Sequence, residues 1–296
     1  MIKVVVTDMD GTLLNEKHEI TERSIVAIKK LYENNIRFMI STGRHYLSAM
    51  KTLEKYDIKC DYIVSSGAEV RNQDAKILKQ IEMDASKFQD ILDRIKKFPI
   101  AVRFCSNDYD YMLGNEEEIK KSLLLEASSF FDIGSLSEIE ASPRFQNMLS
   151  GIKVISDLKE LKLNNIPIYK IFIFAFDESI IHEMDSALSD IEGIVSASSF
   201  ASNLELTHIN AQKGIALREY IEELGFSMEE VMVLGDSMND YSMLKMDFGA
   251  TVAMGNAMEK IKEVSKYITK SNKEEGFAYA VEKMLDNNLE KLRKKK

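Results

Sequence analysis

The chain has 296 residues, enough for one large domain or two modest ones. Its 45% hydrophobic and 29% charged content is that of a globular protein, and 3 prolines with 13 glycines argue against a long disordered linker. A net charge of −9 argues against nucleic acid as the main partner, and no apolar run is long enough to span a bilayer.

Taken in chain order, the first element is the apolar run Val4-Val5-Val6-Thr7, which reads as a strand buried on both faces, as in a parallel sheet. It starts almost at the first residue, without the charged-then-apolar layout of a signal peptide. Asp8-Met9-Asp10-Gly11 follows, placing two carboxylates at the carboxyl edge of that strand, with Gly11 supporting a sharp turn. A calcium loop fails as a reading, because Gly11 falls fourth where such a loop needs its glycine sixth. A plain surface turn suits this stretch alone, but not the chain as a whole. A helix over 24–32 follows, with Thr21 as its N-cap. A second buried strand over 36–40 ends in Ser41-Thr42-Gly43-Arg44. A helix over 46–56 leads to a third strand over 62–64, which ends in Ser65-Ser66-Gly67-Ala68. This rhythm predicts parallel strands with right-handed crossovers.

The middle of the chain changes character. Ala101–Cys105 and Tyr169–Phe174 alternate with period two, which favours an antiparallel sheet covered on one face. Helices over 116–127 and 178–188 lie between them. From Lys213 the first rhythm resumes, with a helix to Leu224 and Gly225 in the C′ position. A strand over 231–234 ends in Gly235-Asp236-Ser237-Met238-Asn239-Asp240, and strands over 250–254 and 267–269 complete the sheet. The predicted fold is α/β, a doubly wound and mostly parallel sheet with an inserted α+β domain. The expected division is 1–82 with 202–296 as the core and 83–201 as the insert.

Three strand ends thus carry groups suited to phosphate and a cation. They are Asp8 with Asp10, Ser41 with Thr42 beside Gly43, and Asp236 with Asn239 and Asp240; Lys213 opens a helix just ahead of the last strand. In a doubly wound sheet these ends converge on one crevice. Two carboxylates so close repel unless something compensates, and hard oxygen ligands suit Mg²⁺ better than Zn²⁺. Cys60 and Cys105 show no metal-ligand spacing and read as free thiols in a reduced, cytoplasmic protein.

Asp8-Met9-Asp10-Gly11-Thr12-Leu13-Leu14, Ser41-Thr42-Gly43-Arg44, Lys213 and Gly235-Asp236-Ser237-Met238-Asn239-Asp240 resemble, in order, the four motifs of the haloacid dehalogenase superfamily. The resemblance is closest to its Cof-type phosphatases, which carry a large α/β cap between the second and third motifs. It spans nearly the whole chain, including Ser271–Gly276, and Ser66 stands where similar sequences usually have Asn. The resemblance implies a Mg²⁺-dependent phosphatase acting on small phosphorylated metabolites, with a cap that closes over the crevice. It implies Asp8 as nucleophile, forming an aspartyl-phosphate, and Asp10 as acid and then base. Thr42 would bind the phosphoryl group through its hydroxyl and backbone N–H, with Gly43 beside it. Lys213 would offset the charge of phosphate and Asp8. The metal would be held by Asp8, the backbone carbonyl of Asp10 and Asp236, with Asn239 and Asp240 in support. An acid/base carboxylate at position 10 favours rapid turnover over a long-lived intermediate.

Other features carry plainer readings. Arg44 is expected on a substrate phosphate because of its strand-end place, whereas His45 reads as a solvated side chain and His208 as a hinge residue. The 16 methionines read as core filler and Glu116–Glu118 as a solvated first helical turn. The basic tail over 291–296 reads as a frayed helix end. Arg103 and Arg144 leave open a phosphomutase with a second phosphate site, and a non-catalytic sensor of phosphorylated ligands is the alternative from another class.

Overall fold

The computed structural model describes residues 1–107, 109–129 and 135–294. The chain falls into two compact units, 1–81 with 210–296, and 82–209.

The first unit is built on an eight-stranded sheet. Its strands are β1 (Val4–Thr7), β2 (Arg37–Ser41), β3 (Asp61–Val64), β4 (Glu69–Arg71) and β5 (Ile77–Gln80) from the first segment. The second unit contributes β6 (Ile100–Cys105), β7 (Asp110–Leu113), β8 (Ile152–Ile155), β9 (Lys170–Ala175), β10 (Ile194–Ala197) and β11 (Asn203–His208) to a sheet of its own. The returning segment adds β12 (Val231–Gly235), β13 (Ala250–Ala253) and β14 (Tyr267–Ile268) to the first sheet. The order there is β14-β13-β12-β1-β2-β3-β4-β5. Pairing is parallel from β14 to β3 and antiparallel across β4 and β5. The expected parallel α/β core is therefore present, and β4 with β5 extends it as a hairpin. Alternate residues of β1 enter two different cores. Val5 packs with Phe38, Ile40, Met232 and Leu234 on one face, while Val4 and Val6 pack with Met39, Ile63, Val231 and Val233 on the other. Burial on both faces is why these strands read as unbroken apolar runs.

The helices that cover this sheet are capped as the sequence suggests. Thr21 accepts a hydrogen bond from the Ser24 N–H at the start of helix Glu22–Glu33. Gly225, at φ +80°, follows helix Lys213–Glu223 and its capping residue Leu224. That helix is anchored toward both ends. Near its C-terminal end Tyr220 donates to Asp61 Oδ1 at 2.8 Å, and Asp61 also takes a bidentate pair from Arg37 at 2.5 and 2.7 Å. Near its N-terminal end the Gly214 N–H donates to Ser242 Oγ at 3.0 Å. A Cβ on Gly214 would lie 2.2 Å from the Ser242 carbonyl oxygen and 2.5 Å from its carbon. Only glycine lets the helix seat on that backbone, and the seat fixes Lys213 beside it.

The second unit has the order β10-β11-β9-β6-β7-β8, antiparallel except for the parallel pair β7 and β8. One face, with Phe104, Ile171, Ile173, Leu204 and Leu206, packs on helices Phe88–Ile95 and Ile181–Leu188. A single covered face was expected, but the other is partly covered too. Ala101 and Phe174 pack there against Ile119, Leu123, Ala127, Ile139 and Phe145 of helices Glu116–Ser128, Leu136–Ala141 and Pro143–Ser150. Charged residues at the alternate positions of this face are buried in pairs. Lys170 lies 3.2 Å from Glu205, and Arg103 contacts Glu126. The unit runs to Ile209 instead of ending at Ala201, because β11 pairs with β9 and β10. Cys60 and Cys105 are free and buried. Lys291 and Leu292 end a short 3₁₀ turn, so the tail is not a frayed α-helix there, and 295–296 lie outside the described residues.

Ser65 and Ser66, following β3, both adopt left-handed φ of +50° and +59°. Asn enters that region more readily than Ser, so Ser at these positions carries a backbone cost. The seat of the Lys213 helix yields a direct expectation. Gly214→Ala forces backbone apart and lowers unfolding free energy by about 1–3 kcal/mol, measured by urea denaturation.

Candidate active site

The site begins with a wide turn at the end of β1. The Leu13 N–H donates to the Asp8 carbonyl at 3.3 Å and the Leu14 N–H to the Met9 carbonyl at 2.9 Å, so the chain makes one π-type turn over Met9–Leu13. Gly11 sits inside it at φ +79°, and a Cβ there would lie 2.4 Å from Asp236 Oδ2. Gly11 is thus required both by its backbone and by the carboxylate next to it. Two asparagines brace the turn from the returning segment. Asn256 Nδ2 donates to the Gly11 carbonyl at 2.9 Å and Asn272 Nδ2 to the Leu14 carbonyl at 3.0 Å.

Parallel register brings the second acidic strand end alongside. Thr7 pairs with Leu234, and the Asp8 N–H donates to the Leu234 carbonyl at 3.1 Å. Asp236 therefore stands next to the turn, where Thr12 Oγ1 donates to its Oδ1 at 2.7 Å. Asp240 closes the short turn Met238–Asp240. Its Oδ2 accepts from the N–H groups of Asp236 and Ser237 at 2.9 and 3.1 Å.

Lys213, fully buried, joins these pieces. Its Nζ donates to Asp8 Oδ1 at 2.7 Å, Asp240 Oδ1 at 2.6 Å and Asn239 Oδ1 at 3.2 Å. Three partners match the three hydrogens of an ammonium. Burial would drive Lys213 to its neutral form, but the charges of Asp240 and Asp8 override this and raise its pKa. One ammonium does not balance three carboxylates. Burial pushes Asp8 well above the usual carboxylate range, against the pull of Lys213 and with the help of Asp240, Asp236 and Asp10. Burial and Asp240 likewise push Asp236 up to about 7.

Ligand oxygens of Asp8, Asp236 and Asp240 lie within 4.8 Å of one another. The donor set is hard oxygen with excess negative charge, so it fits a divalent cation of the magnesium or calcium type. Asp240 has both oxygens engaged by Lys213 and backbone N–H groups, which leaves Asp8 and Asp236 as the side chains better placed to bind the ion.

Asp10 is in a different environment. Arg44 holds its carboxylate in a fork, Nε to Oδ2 at 2.7 Å and the terminal nitrogen to Oδ1 at 2.6 Å. His18 Nδ1 lies 3.3 Å from Oδ1. Burial would raise the Asp10 pKa, but the hydrogen bonds and charges of His18 and Arg44 bring it well below the usual carboxylate range. The Arg44 fork, expected on a substrate phosphate, is here on Asp10.

At the end of β2, Thr42 is buried, with Gly43 and Arg44 in the bend that follows. The Thr42 N–H, expected to meet phosphate, donates to the Ile63 carbonyl at 2.9 Å because it continues the pairing of β2 with β3. Its Oγ1 accepts from the Arg44 N–H at 3.2 Å. Ser41 Oγ is buried without a hydrogen-bond partner. Sequence reasoning missed His18, Asn256 and Asn272, and gave Thr12 no task. The only signal for Thr12 was its place inside the opening motif.

Comparison with known proteins agrees with this geometry. A family model for haloacid dehalogenase-like hydrolases matches residues 5–281. The chain is 29% identical to phosphatase YwpJ of Bacillus subtilis, over 96% of this chain and all of that one. It is 28% identical to 5-amino-6-(5-phospho-D-ribitylamino)uracil phosphatase YwtE of the same organism, over 96% of this chain and 98% of that one. A solved haloacid dehalogenase-like hydrolase from B. subtilis superposes with a TM-score of 0.82 at 29% identity, covering 95% of this chain and 99% of that one. The subclass IIB sugar phosphatase BT4131, at 22% identity and a TM-score of 0.75 over 95% and 98% of the two chains, shares the fold. The chain belongs to the haloacid dehalogenase-like hydrolases, and within that family it is a phosphatase of the Cof type.

Proposed function

We propose that this phosphatase hydrolyses small phosphorylated metabolites in two steps through an aspartyl-phosphate on Asp8, with Mg²⁺ as its cofactor. The observation that carries this reading is the buried cluster of Asp8, Asp236 and Asp240 around a single ammonium, that of Lys213. Its crowded carboxylates suit a cation.

Mg²⁺, when bound, would neutralise Asp8 and the phosphoryl oxygens enough for one anion to approach the other. Asp8 and Asp236 would hold it with the Asp10 carbonyl, and Asp240 with Asn239 would support the site through Lys213. In the first step an Asp8 carboxylate oxygen attacks phosphorus and the ester oxygen departs. Lys213 keeps Asp8 oriented and stabilises the charge on the transferring group. The Thr42 hydroxyl, which accepts from the Arg44 N–H, has its own hydrogen to give to a phosphoryl oxygen. Asp10 in its acid form gives a proton to the departing oxygen. In the second step water attacks the phosphoryl group, Asp10 takes its proton, and Asp8 is released. Arg44 and His18 favour the ionised form of Asp10, which suits the second step and opposes the first, where the acid form is needed.

The substrate class rests on relatives. YwtE bears the name of a phosphatase for 5-amino-6-(5-phospho-D-ribitylamino)uracil, and a relative from Klebsiella pneumoniae, 27% identical over 88% of this chain, that of an HMP-PP phosphatase. Both names describe small phosphorylated compounds. One observation bears on the phosphomutase alternative. Arg103, which with Arg144 left a second phosphate site open, contacts Glu126, lies 3.9 Å from Asp110 and stacks 4.8 Å from the Phe172 ring centroid. An arginine so engaged offers little to a phosphate, and hydrolysis is the better reading.

Two outcomes test it. Asp8→Asn is expected to abolish phosphate release from a panel of phosphate esters while leaving the circular dichroism spectrum unchanged; persistent turnover rejects Asp8 as the nucleophile. Removing divalent ions with a chelator should stop turnover. Adding Mg²⁺ back should restore it and raise Tm in the wild type, because the ion binds only the folded cluster. Asp236→Asn should lose most of that Tm response.

A further inference from the structure

Just after the catalytic turn the chain doubles back. Leu14 pairs with Ile20 in an antiparallel bridge, and the Asn15 N–H donates to the Glu19 carbonyl at 2.9 Å. Asn15 Oδ1 accepts from the N–H groups of Lys17 and Glu19 at 2.9 and 3.0 Å. The His18 N–H donates to the Asn15 carbonyl at 2.9 Å, and this tight closure leaves His18 at φ +57°. A residue with a Cβ adopts that conformation at a cost of about 1–2 kcal/mol. The turn returns the imidazole to Asp10, with Nδ1 at 3.3 Å from Oδ1. An ionised carboxylate only accepts, so Nδ1 carries the hydrogen.

The donors on Asp10 are unevenly distributed. Among the described residues Oδ1 receives two, from Arg44 and His18, whereas Oδ2 receives one, from Arg44. Each carboxylate oxygen offers two lone-pair sites in the plane. We propose that His18 is a positioning residue that occupies the second site on Asp10 Oδ1 and so assigns proton exchange with water to Oδ2. This inference rests on the reading of Asp10 as the base of the second step. Arg44 alone fixes the plane of the carboxylate but treats its two oxygens alike. The contact from the hairpin distinguishes them.

The test uses the full chain with Mg²⁺ and p-nitrophenyl phosphate, whose leaving group departs without protonation. His18→Gly removes the donor while relieving the left-handed backbone. His18→Asn keeps an amide N–H close to the place of Nδ1 and tolerates the same φ. If His18 orients the base, His18→Gly lowers kcat about tenfold, a fraction of the usual acid–base contribution. KM falls in parallel, so kcat/KM, which reports only formation of the aspartyl-phosphate, changes less than twofold. His18→Asn regains most of kcat. Wild-type kcat in His18→Gly, an equal loss in kcat/KM, or no recovery in His18→Asn overturns the inference. Asp10→Asn, measured alongside, separates the two layers. A kcat unchanged there removes the base assignment itself, whereas a loss there without one in His18→Gly removes only the role of His18.

Discussion

The first unit is organised around a buried charge imbalance. A fully buried ammonium, Lys213, bridges Asp8 from β1 and Asp240 from the turn after β12, with Asp236 close by. Removing either partner of such a contact would strand a buried charge, which typically costs about 3–5 kcal/mol. The fold therefore contains devices that hold the parts in place. Gly214 lets the Lys213 helix rest on the Ser242 backbone, Tyr220 ties the same helix to Asp61 and Arg37, and Gly11 leaves room for Asp236. Full electrostatic compensation would make a more stable core. Incomplete compensation is what gives the cluster a use for a cation, and a strand edge is where a phosphate ester can arrive.

The two aspartates of the opening motif are chemically divided by their neighbours. Asp8 faces an ammonium and three like charges in a buried setting, whereas Asp10 faces a guanidinium and an imidazole. Separation by one residue in an irregular turn sends the two side chains into these different surroundings. A helix or a regular strand would not partition them in this way. The π-type turn over Met9–Leu13, with Asn256 and Asn272 holding its carbonyls, is the structural means of that separation.

Much of this was legible in the sequence because buried parallel strands are short, apolar and followed at once by their functional residues. Val4–Thr7 and Val231–Gly235 announced both strand and site, and Lys213 stood out by its motif order. The hairpin of β4 and β5 was not legible. Its strands have three and four residues; in β4 the charged Glu69 is buried beside Val70, and in β5 Ile77, Leu78 and Gln80 are exposed, so side-chain polarity and burial do not match and no periodicity marks it. The end of the second unit was placed too early because Asn203, Glu205 and Thr207 are polar residues at alternating positions, buried against a sheet in the second unit. His18 escaped notice for a geometric reason. It reaches Asp10 through a left-handed turn, and no residue spacing encodes such a contact. The Thr42 N–H was misassigned because pairing of β2 with β3 continues one residue beyond the strand end, an effect of register and not of residue type.

The most direct measurement of the central claim is acid quenching during steady turnover with Mg²⁺, followed by borohydride reduction and mass-spectrometric peptide mapping. The account predicts a phosphoryl-enzyme whose reduced residue, homoserine, maps to position 8. A phosphoryl group mapping to any other residue would contradict it, as would turnover with no phosphoryl-enzyme trapped in either the wild type or Asp10→Asn.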